Sequence, residues 1–134
     1  MRPKDKGTRR ETWVVRLLQD AGLDAQRAPN NSPSLDVTSK AGPFPLYIEV
    51  KDRANLNLHE TLGTVQEKYP SAIPHVVWHR TKKGEKRRVP AGPTLVALPV
   101  HEYAKIMSYL DQLWRDKYGD PESPTDAGGE ELAR

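Results

Sequence analysis

The sequence contains no cysteine among its 134 residues. Without cysteine there can be no disulfide framework and no zinc site built from thiolates, so any metal ion must be held by oxygen or imidazole ligands. Oxygen ligands favour magnesium or manganese. The absence of cysteine therefore predicts Mg²⁺, or Mn²⁺ in its place, for any metal site that carboxylates form.

Long apolar stretches are also missing. No run is long enough to span a bilayer, and residues 1–6 lead into no apolar segment of a signal peptide. The length is that of one domain with a modest core. We therefore expect a soluble, cytoplasmic protein without a membrane partner, from a prokaryotic cell or a phage-infected host.

The formal net charge of +3 understates how basic the folded part is. Residues 119–134 hold five acids and one base, which leaves 20 basic and 13 acidic side chains in residues 1–118, a net of +7. Such an excess favours a polyanionic partner, either nucleic acid or an anionic membrane surface, and charge alone does not choose between them. The composition predicts a single domain at 1–118 followed by an acidic disordered tail at 119–134.

The spacing of apolar residues predicts an α/β domain behind a mobile basic arm at residues 1–7. Helical spacing starts near Thr8 and stops at Gly22, and the turn Ala41-Gly42-Pro43 predicts an antiparallel hairpin. The later elements are a helix at 58–69, strands at 75–79 and 94–98 joined by a basic loop, and a helix at 99–117. With strands at 23–28, 35–38 and 45–53, the order is α-β-β-β-α-β-β-α. This order predicts a mixed five-stranded sheet flanked by helices.

The predicted hairpin brings two acids and a lysine together. Asp36 and Glu49 are thirteen residues apart with the turn between them, and Lys51 shares a strand face with Glu49. A divalent cation binds such carboxylate oxygens together with a carbonyl such as that of Val50. A nearby lysine can orient or help deprotonate a water molecule. Glu11, on or near the apolar face of the first predicted helix, is a possible fourth member of this cluster.

The pattern of Asp36 followed by Glu49-Val50-Lys51 resembles the signature of the PD-(D/E)XK nuclease superfamily. The stretch 6–11, the helix that follows it and Arg27 on the first strand are similar to the archaeal-type Holliday junction resolvases. The resemblance is dense over residues 6–53 and only architectural over residues 54–116. One departure is Leu35, where the family usually has a proline before the aspartate.

The resemblance implies a restriction-endonuclease-like core and a magnesium-dependent endodeoxyribonuclease that hydrolyses phosphodiester bonds in branched DNA. It also implies an active site, whose residues are Glu11, Asp36, Glu49, Lys51 and a loop serine, Ser32 or Ser34. In this site Asp36, Glu49 and the Val50 carbonyl would hold the metal, and Lys51 would position the attacking water. Glu11 would bind a second ion or order the ligands of the first.

Basic side chains beside this cluster and in the loop after the fourth predicted strand are candidates for contacts with DNA phosphates. They are Lys6, Arg9, Arg10, Arg27, Arg53, Lys82, Lys83, Lys86, Arg87 and Arg88. The run from Arg80 to Arg88 is equally typical of a solvated loop. Trp13, Trp78 and Trp114 either stack on bases or belong to the core or a subunit interface.

Other interpretations remain open from the sequence. A glutamate and a lysine two residues apart are common as a surface ion pair, and Glu11 alone is compatible with a solvated carboxylate at a helix start. The protein could also be a non-catalytic DNA-binding module, or a restriction or repair nuclease acting on linear DNA. Paired buried acids that repel each other without a cation argue against the module.

Resolving a four-way junction takes two symmetry-related nicks, and one chain has a single cluster of this kind. We therefore expect a homodimer with twofold symmetry. The last predicted helix has more apolar side chains than one buried stripe needs, namely Tyr103, Met107, Tyr109, Leu110, Leu113 and Trp114. This helix, together with the strand at 94–98, is the predicted dimer contact.

Overall fold

The computed structural model describes the backbone of residues 3–28 and 36–120, with the side chains of residues 9–28 and 36–120. Three helices and six strands lie within these ranges. In chain order they are α1 (Pro3–Asp20), β1 (Asp24–Arg27), β2 (Val37–Ala41), β3 (Phe44–Arg53), α2 (Leu58–Lys68), β4 (Ile73–Lys83), β5 (Arg88–Pro90), β6 (Leu95–Ala97) and α3 (Val100–Tyr118).

The strands form one mixed sheet. Its order is β1-β2-β3-β4-β5, and β6 also pairs with β4. The neighbours β1, β2 and β3 are antiparallel, whereas β3 and β4 run parallel and are connected through α2. A parallel pair needs such a crossover, because a short turn cannot bring the chain back to the same end of the sheet. The predicted α/β class and the mixed sheet are therefore confirmed, with β5 as an additional short strand.

Helices α1 and α2 lie on opposite faces of this sheet. Asp52 of β3 faces Arg10 of α1, with Oδ2 and Nε 3.6 Å apart. Tyr47 of the same strand meets Tyr69 at the end of α2, and their ring centroids are 4.3 Å apart. Because side chains alternate along a strand, the even-numbered residues of β3 face α1 and the odd-numbered ones face α2.

Two predicted chain reversals are confirmed, and each depends on a glycine with positive φ. Gly22 has φ 90°, and the N–H groups of Gly22 and Leu23 donate to the carbonyls of Gln19 and Leu18 at 2.9 and 3.0 Å. This is the hydrogen-bonding pattern that ends a helix on a left-handed residue. Gly42, with φ 57°, forms the turn between β2 and β3.

The core consists of small branched side chains contributed by each layer. Val14 of α1, Val37 of β2, Ile48 of β3, Val65 of α2 and Val76 of β4 are at most 3% exposed. Fully burying a side chain of this kind contributes about 1.5–3 kcal/mol. The core thus holds β3 between the two helices. The part of β3 that carries Glu49 and Lys51 continues beyond the core.

Helix α1 begins earlier than predicted. Its backbone is helical from Pro3, so the prediction of a helix start near Thr8 is wrong, whereas the mobile basic arm over residues 1–7 stays a prediction. Proline is favoured in the first turn of a helix, where its missing N–H would have had no partner. The absence of apolar anchors in this stretch concealed the helix.

The predicted basic loop is largely a hairpin. Strand β4 continues to Lys83, and β5 returns beside it, with Lys83 opposite Arg88. Gly84 N–H donates to the Arg87 carbonyl at 3.1 Å and closes the turn. A Cβ at Gly84 would collide with the Arg87 carbonyl oxygen, so this turn requires glycine.

The chain divides into two compact units, Met1–Glu102 and Tyr103–Arg134. The first contains the sheet, α1 and α2. The described part of the second is mainly the rest of α3, and no residue of α3 is buried. Residues 121–134 of the predicted tail lie outside the described residues, and the single domain at 1–118 stays a prediction. None of the helices described has the length and apolarity needed to cross a membrane.

The start of α2 offers a test of this architecture. The Asn57 side chain caps the helix by accepting the Glu60 N–H at 3.1 Å. Asn57→Ala should lower the free energy of unfolding by about 1 kcal/mol, which is roughly 3–5 °C in melting temperature for this size. Asn57→Asp keeps the acceptor and is the control. Equal losses in both variants, measured by circular dichroism, would contradict the capping role.

Candidate active site

The β2–β3 hairpin places Asp36 beside the Glu49-Val50-Lys51 segment. Val37 pairs with Ile48, so Asp36, one residue earlier, lies across from Glu49. The Val50 N–H donates to Asp36 Oδ2 at 2.7 Å. This short, charge-assisted hydrogen bond attaches the carboxylate to the backbone of β3. The sequence spacing therefore identified a real juxtaposition.

Glu49 and Lys51 form an ion pair on the face of β3 that is directed to α2. Lys51 Nζ is 3.1 Å from Glu49 Oε1, and the two side chains are only 24% and 16% exposed, respectively. An exposed strand pair would be solvated and contribute little. The partial burial of both groups argues against the interpretation of this pair as an ordinary surface ion pair.

Glu11 reaches the same place from α1. Its Oε2 accepts a hydrogen bond from Arg27 Nε at 3.1 Å and is also 3.1 Å from an Arg27 terminal nitrogen. The Glu11 carboxylate is also near enough to Asp36 to contribute to the raised pKa of the Asp36 carboxyl. With a side chain 19% exposed, Glu11 is a member of the cluster and not a solvated carboxylate at a helix start.

The cluster concentrates negative charge where water is partly excluded. Burial is the main cause that raises the pKa of Asp36 from 3.8 to about 6, and the nearby Glu11 carboxylate adds to it. The Val50 N–H and the Lys51 ammonium act in the opposite direction. Burial also raises the pKa of Glu49, followed in effect by the charge of Asp36. The folded chain thus favours a proton or another cation at these carboxylates.

The donor chemistry of the cluster suits a hard divalent cation. Asp36, Glu49 and the Val50 carbonyl supply oxygen ligands of the kind that Mg²⁺ and Mn²⁺ take. Within residues 9–28 and 36–120, however, no three acidic or histidine side chains are grouped so as to hold a metal ion as they stand. The Glu49 carboxylate is ion-paired with Lys51, and the Glu11 carboxylate is ion-paired with Arg27, so each already has a cationic partner.

A groove of about 500 Å³, here called the α2 groove, opens beside Glu49 and Lys51. It runs between the end of β3 and the first turns of α2. Its remaining lining residues are Arg53, Asn55, Leu56, Asn57, Glu60, Thr61 and Thr64. The polar stripe of α2 was not predicted, although its members recur at the helical spacing that marks one face: Asn57, Glu60, Thr61 and Thr64.

The predicted DNA-contacting residues lie in different surroundings. Arg53 lines the α2 groove, whereas Arg27 is held by Glu11. Four others, Arg9, Arg10, Arg87 and Arg88, line a second groove together with Trp13, Asp52, Val89 and Pro90. We call this second site the arginine groove.

The remaining predicted site residues are spread over the hairpin or lie outside the description. Lys82 and Lys83 end β4, and Lys86 lies in the turn that follows. The Lys6 side chain and the candidate serines Ser32 and Ser34 fall outside the described side chains. Asp52, which the sequence analysis missed, faces α1 because it alternates with Lys51 along β3.

No protein-family model matches this chain, and no curated protein does. Among solved structures, the chain is similar to a Holliday junction resolvase from an archaeal hyperthermophile. That protein is Archaeoglobus fulgidus Hjc, which shares 25% sequence identity with this chain at a TM-score of 0.43. The match covers 71% of this chain and 85% of Hjc.

The raised pKa of Asp36 gives a testable dependence of stability on pH. Because folding raises this pKa from 3.8 to about 6, ionisation of Asp36 destabilises the fold, and the penalty is complete only above pH of about 6. Asp36→Asn keeps an acceptor for the Val50 N–H but carries no charge. We expect it to raise the free energy of unfolding at pH 8 by on the order of 1 kcal/mol after screening.

The measurement is urea unfolding at pH 8 and pH 4.5 in the presence of a chelator. The gain should shrink at pH 4.5, where wild-type Asp36 is mostly protonated. Asp24→Asn is the control, because Asp24 lies at an exposed position of β1. An Asp36→Asn variant that is less stable than wild type at pH 8 would show that the carboxylate contributes net stability.

Proposed function

We propose that this protein is a divalent-metal-dependent endonuclease that cuts branched DNA, most specifically a Holliday junction resolvase. The observation that carries the proposal is the convergence of Glu11, Asp36 and Glu49 with Lys51 at the end of β3. Two of these carboxyls have raised pKa values because burial and mutual repulsion disfavour their charge. A binding surface has no need of such a group, whereas phosphodiester hydrolysis does.

In the proposed site Asp36, Glu49 and the Val50 carbonyl hold the metal, and Glu11 holds a second ion or orders the ligands of the first. When bound, the cation neutralises charge at the phosphate and makes a coordinated water more acidic. To act as a metal ligand, the Glu49 carboxylate must break its ion pair with the Lys51 ammonium, which is 3.1 Å away. The released Lys51 ammonium then donates to the attacking water or to a phosphate oxygen.

Arg27 has a supporting role in this proposal. Its guanidinium donates to Glu11 and lies between α1 and β1. The contact limits the rotation of the Glu11 carboxylate toward Asp36. Arg27 therefore acts as a positioning residue for the cluster as well as a candidate for contact with DNA.

The positive charge of the molecule supports nucleic acid as its substrate. Residues 1–118 carry a net charge of +7, and arginines line both grooves beside β3. Nucleic acid fits such a surface because phosphates accept the bidentate hydrogen bonds that guanidinium groups donate. A non-catalytic module would retain the same basic surface, so the carboxylate cluster and its chemistry decide between the two.

The decisive variants are Lys51→Ala and Glu49→Ala. Each should lower the rate of cleavage by about 10²-fold or more, while binding to a four-way junction stays within a few-fold of wild type. Labelled junction, flap, linear duplex and single strand are incubated with and without Mg²⁺. Lys40→Ala and Glu67→Ala, at exposed positions of β2 and α2, are the matched controls for charge.

Three outcomes would change the proposal. Cleavage by Lys51→Ala at the wild-type rate would contradict the assignment of the carboxylate cluster as the active site. Tight junction binding by the wild type with no cleavage under any metal condition would favour the non-catalytic module. Preferential cleavage of linear duplex would favour a restriction or repair nuclease.

We also propose that two copies associate through α3. The apolar side chains Tyr103, Met107, Tyr109, Leu110, Leu113 and Trp114 are between 39% and 58% exposed, and Leu95 and Val96 of β6 are 54% and 58% exposed. An apolar face of the kind that α3 carries is typical of an interface. A twofold dimer supplies the two clusters that paired nicks require.

Trp114→Glu should shift the protein from dimer to monomer at micromolar concentration, because it places a charge in the apolar face. Ser108→Glu adds the same charge at an exposed position on the opposite side of α3 and should remain dimeric. Light scattering measures both. A wild-type monomer that still makes paired nicks would refute the dimer proposal.

A further inference from the structure

The arginine groove is separate from the carboxylate cluster and has a volume of about 700 Å³. That volume is within the range of small-molecule sites, about 300–1,000 Å³. Four arginines and one aspartate line it, which gives these residues a net charge of +3. Electrostatics therefore favour an anion in this groove.

Arg10 has a hydrogen-bonding group that its surroundings do not satisfy. Its Nε is buried and has no hydrogen-bond partner among the described residues. The nearest acid, Asp52, is 3.6 Å away, which is an ionic contact but too long for a hydrogen bond. A buried donor without an acceptor is energetically unfavourable, so an anion that reached it would relieve this cost.

Arg88 is held in place on the other side of the groove. Its Nε donates to Thr81 Oγ1 at 2.9 Å, and a terminal nitrogen donates to the Thr81 carbonyl at 3.1 Å. Thr81 is 5% exposed, so the anchor is rigid. The N–H groups of Arg88 that these two bonds do not use remain available to a ligand, with little ordering cost.

Trp13 supplies an aromatic surface beside these cations. It is 42% exposed, and the Arg10 guanidinium carbon is 5.5 Å from its ring centroid. A base can stack on such an indole, and single-stranded nucleic acid sites combine aromatic side chains with cations in this way. An inorganic anion or an acidic peptide would use the arginines and leave the indole without a role.

We infer that the arginine groove is a non-catalytic subsite for one unpaired nucleotide, whose phosphate contacts Arg10, Arg87 and Arg88 and whose base stacks on Trp13. Asp52 lines the groove and follows Lys51 directly in β3, with its side chain on the opposite face. A nucleotide bound there is thus held across β3 from Glu49 and Lys51.

This placement deepens the proposed nuclease function and, for its consequence, rests on it. A base within continuous duplex would have to leave its stack to reach Trp13, at an energetic cost, whereas a base at a branch is already partly unstacked. The groove would therefore favour branched over linear DNA. The binding itself does not depend on hydrolysis, so it can be tested separately.

The experiment titrates the full chain, without divalent metal, with octathymidylate, thymidine monophosphate, inorganic phosphate and a blunt duplex. Calorimetry gives each Kd at two salt concentrations. Trp13→Leu and Arg87→Gln should each weaken octathymidylate binding about tenfold or more. Lys40→Gln removes a charge at an exposed position of β2 outside the groove lining and should change the Kd less than threefold, on the order of a single screened contact.

Several results would overturn the inference. Wild-type affinity in Arg87→Gln, or equal losses in Lys40→Gln and Arg87→Gln, would reduce the groove to diffuse surface charge. Unchanged binding by a folded Trp13→Leu variant would remove the stacking. Thymidine monophosphate binding as tightly as octathymidylate would assign the groove to a free nucleotide.

The same titration with Lys51→Ala separates this inference from the proposed nuclease. Oligonucleotide binding that depends on Arg87, in a wild-type protein that cuts no substrate, would support the groove and reject the nuclease. Metal-dependent cleavage with no binding that depends on Arg87 would support the nuclease and reject the groove. Circular dichroism of each variant confirms that the fold is retained.

Discussion

The hydrogen bond from the Val50 N–H to Asp36 Oδ2, at 2.7 Å, is the contact on which the candidate site depends. It joins the residue before β2 to the end of β3, and the turn at Gly42 makes the pairing possible. Without this hydrogen bond, the Asp36 carboxylate would lose hydration on burial and gain only weak electrostatic compensation. With it, Asp36 is fixed where Glu11 and Glu49 also arrive.

The same contact makes the site electrostatically demanding. One backbone N–H and one ammonium offset the repulsion among three carboxylates only in part, so the pKa values of Asp36 and Glu49 stay raised. That ammonium belongs to Lys51, which forms an ion pair with Glu49, and Arg27 forms a second ion pair with Glu11. A fold under no functional constraint would replace such a group with apolar side chains.

Strand β3 gives the two faces of the molecule different chemistry. Its odd-numbered residues place Glu49 and Lys51 in the α2 groove, and its even-numbered residues place Asp52 in the arginine groove. The alternation of side chains along a single strand therefore places Glu49 and Lys51 on the opposite face of β3 from the proposed nucleotide subsite.

The sequence by itself determined the local features: the absence of any thiolate ligand, the helix end at Gly22, the turn at Gly42 and the spacing of Asp36 from Glu49. Each depends on residue type or on neighbours along the chain. Tertiary structure alone decided which charges meet. Arg27 with Glu11, Arg10 with Asp52, and the β4–β5 hairpin that brings Arg88 to the arginine groove join residues through strand register and the packing of α1. Charged side chains carry no periodic pattern that reveals such partners, because Coulomb attraction depends on distance in space and not on separation in sequence.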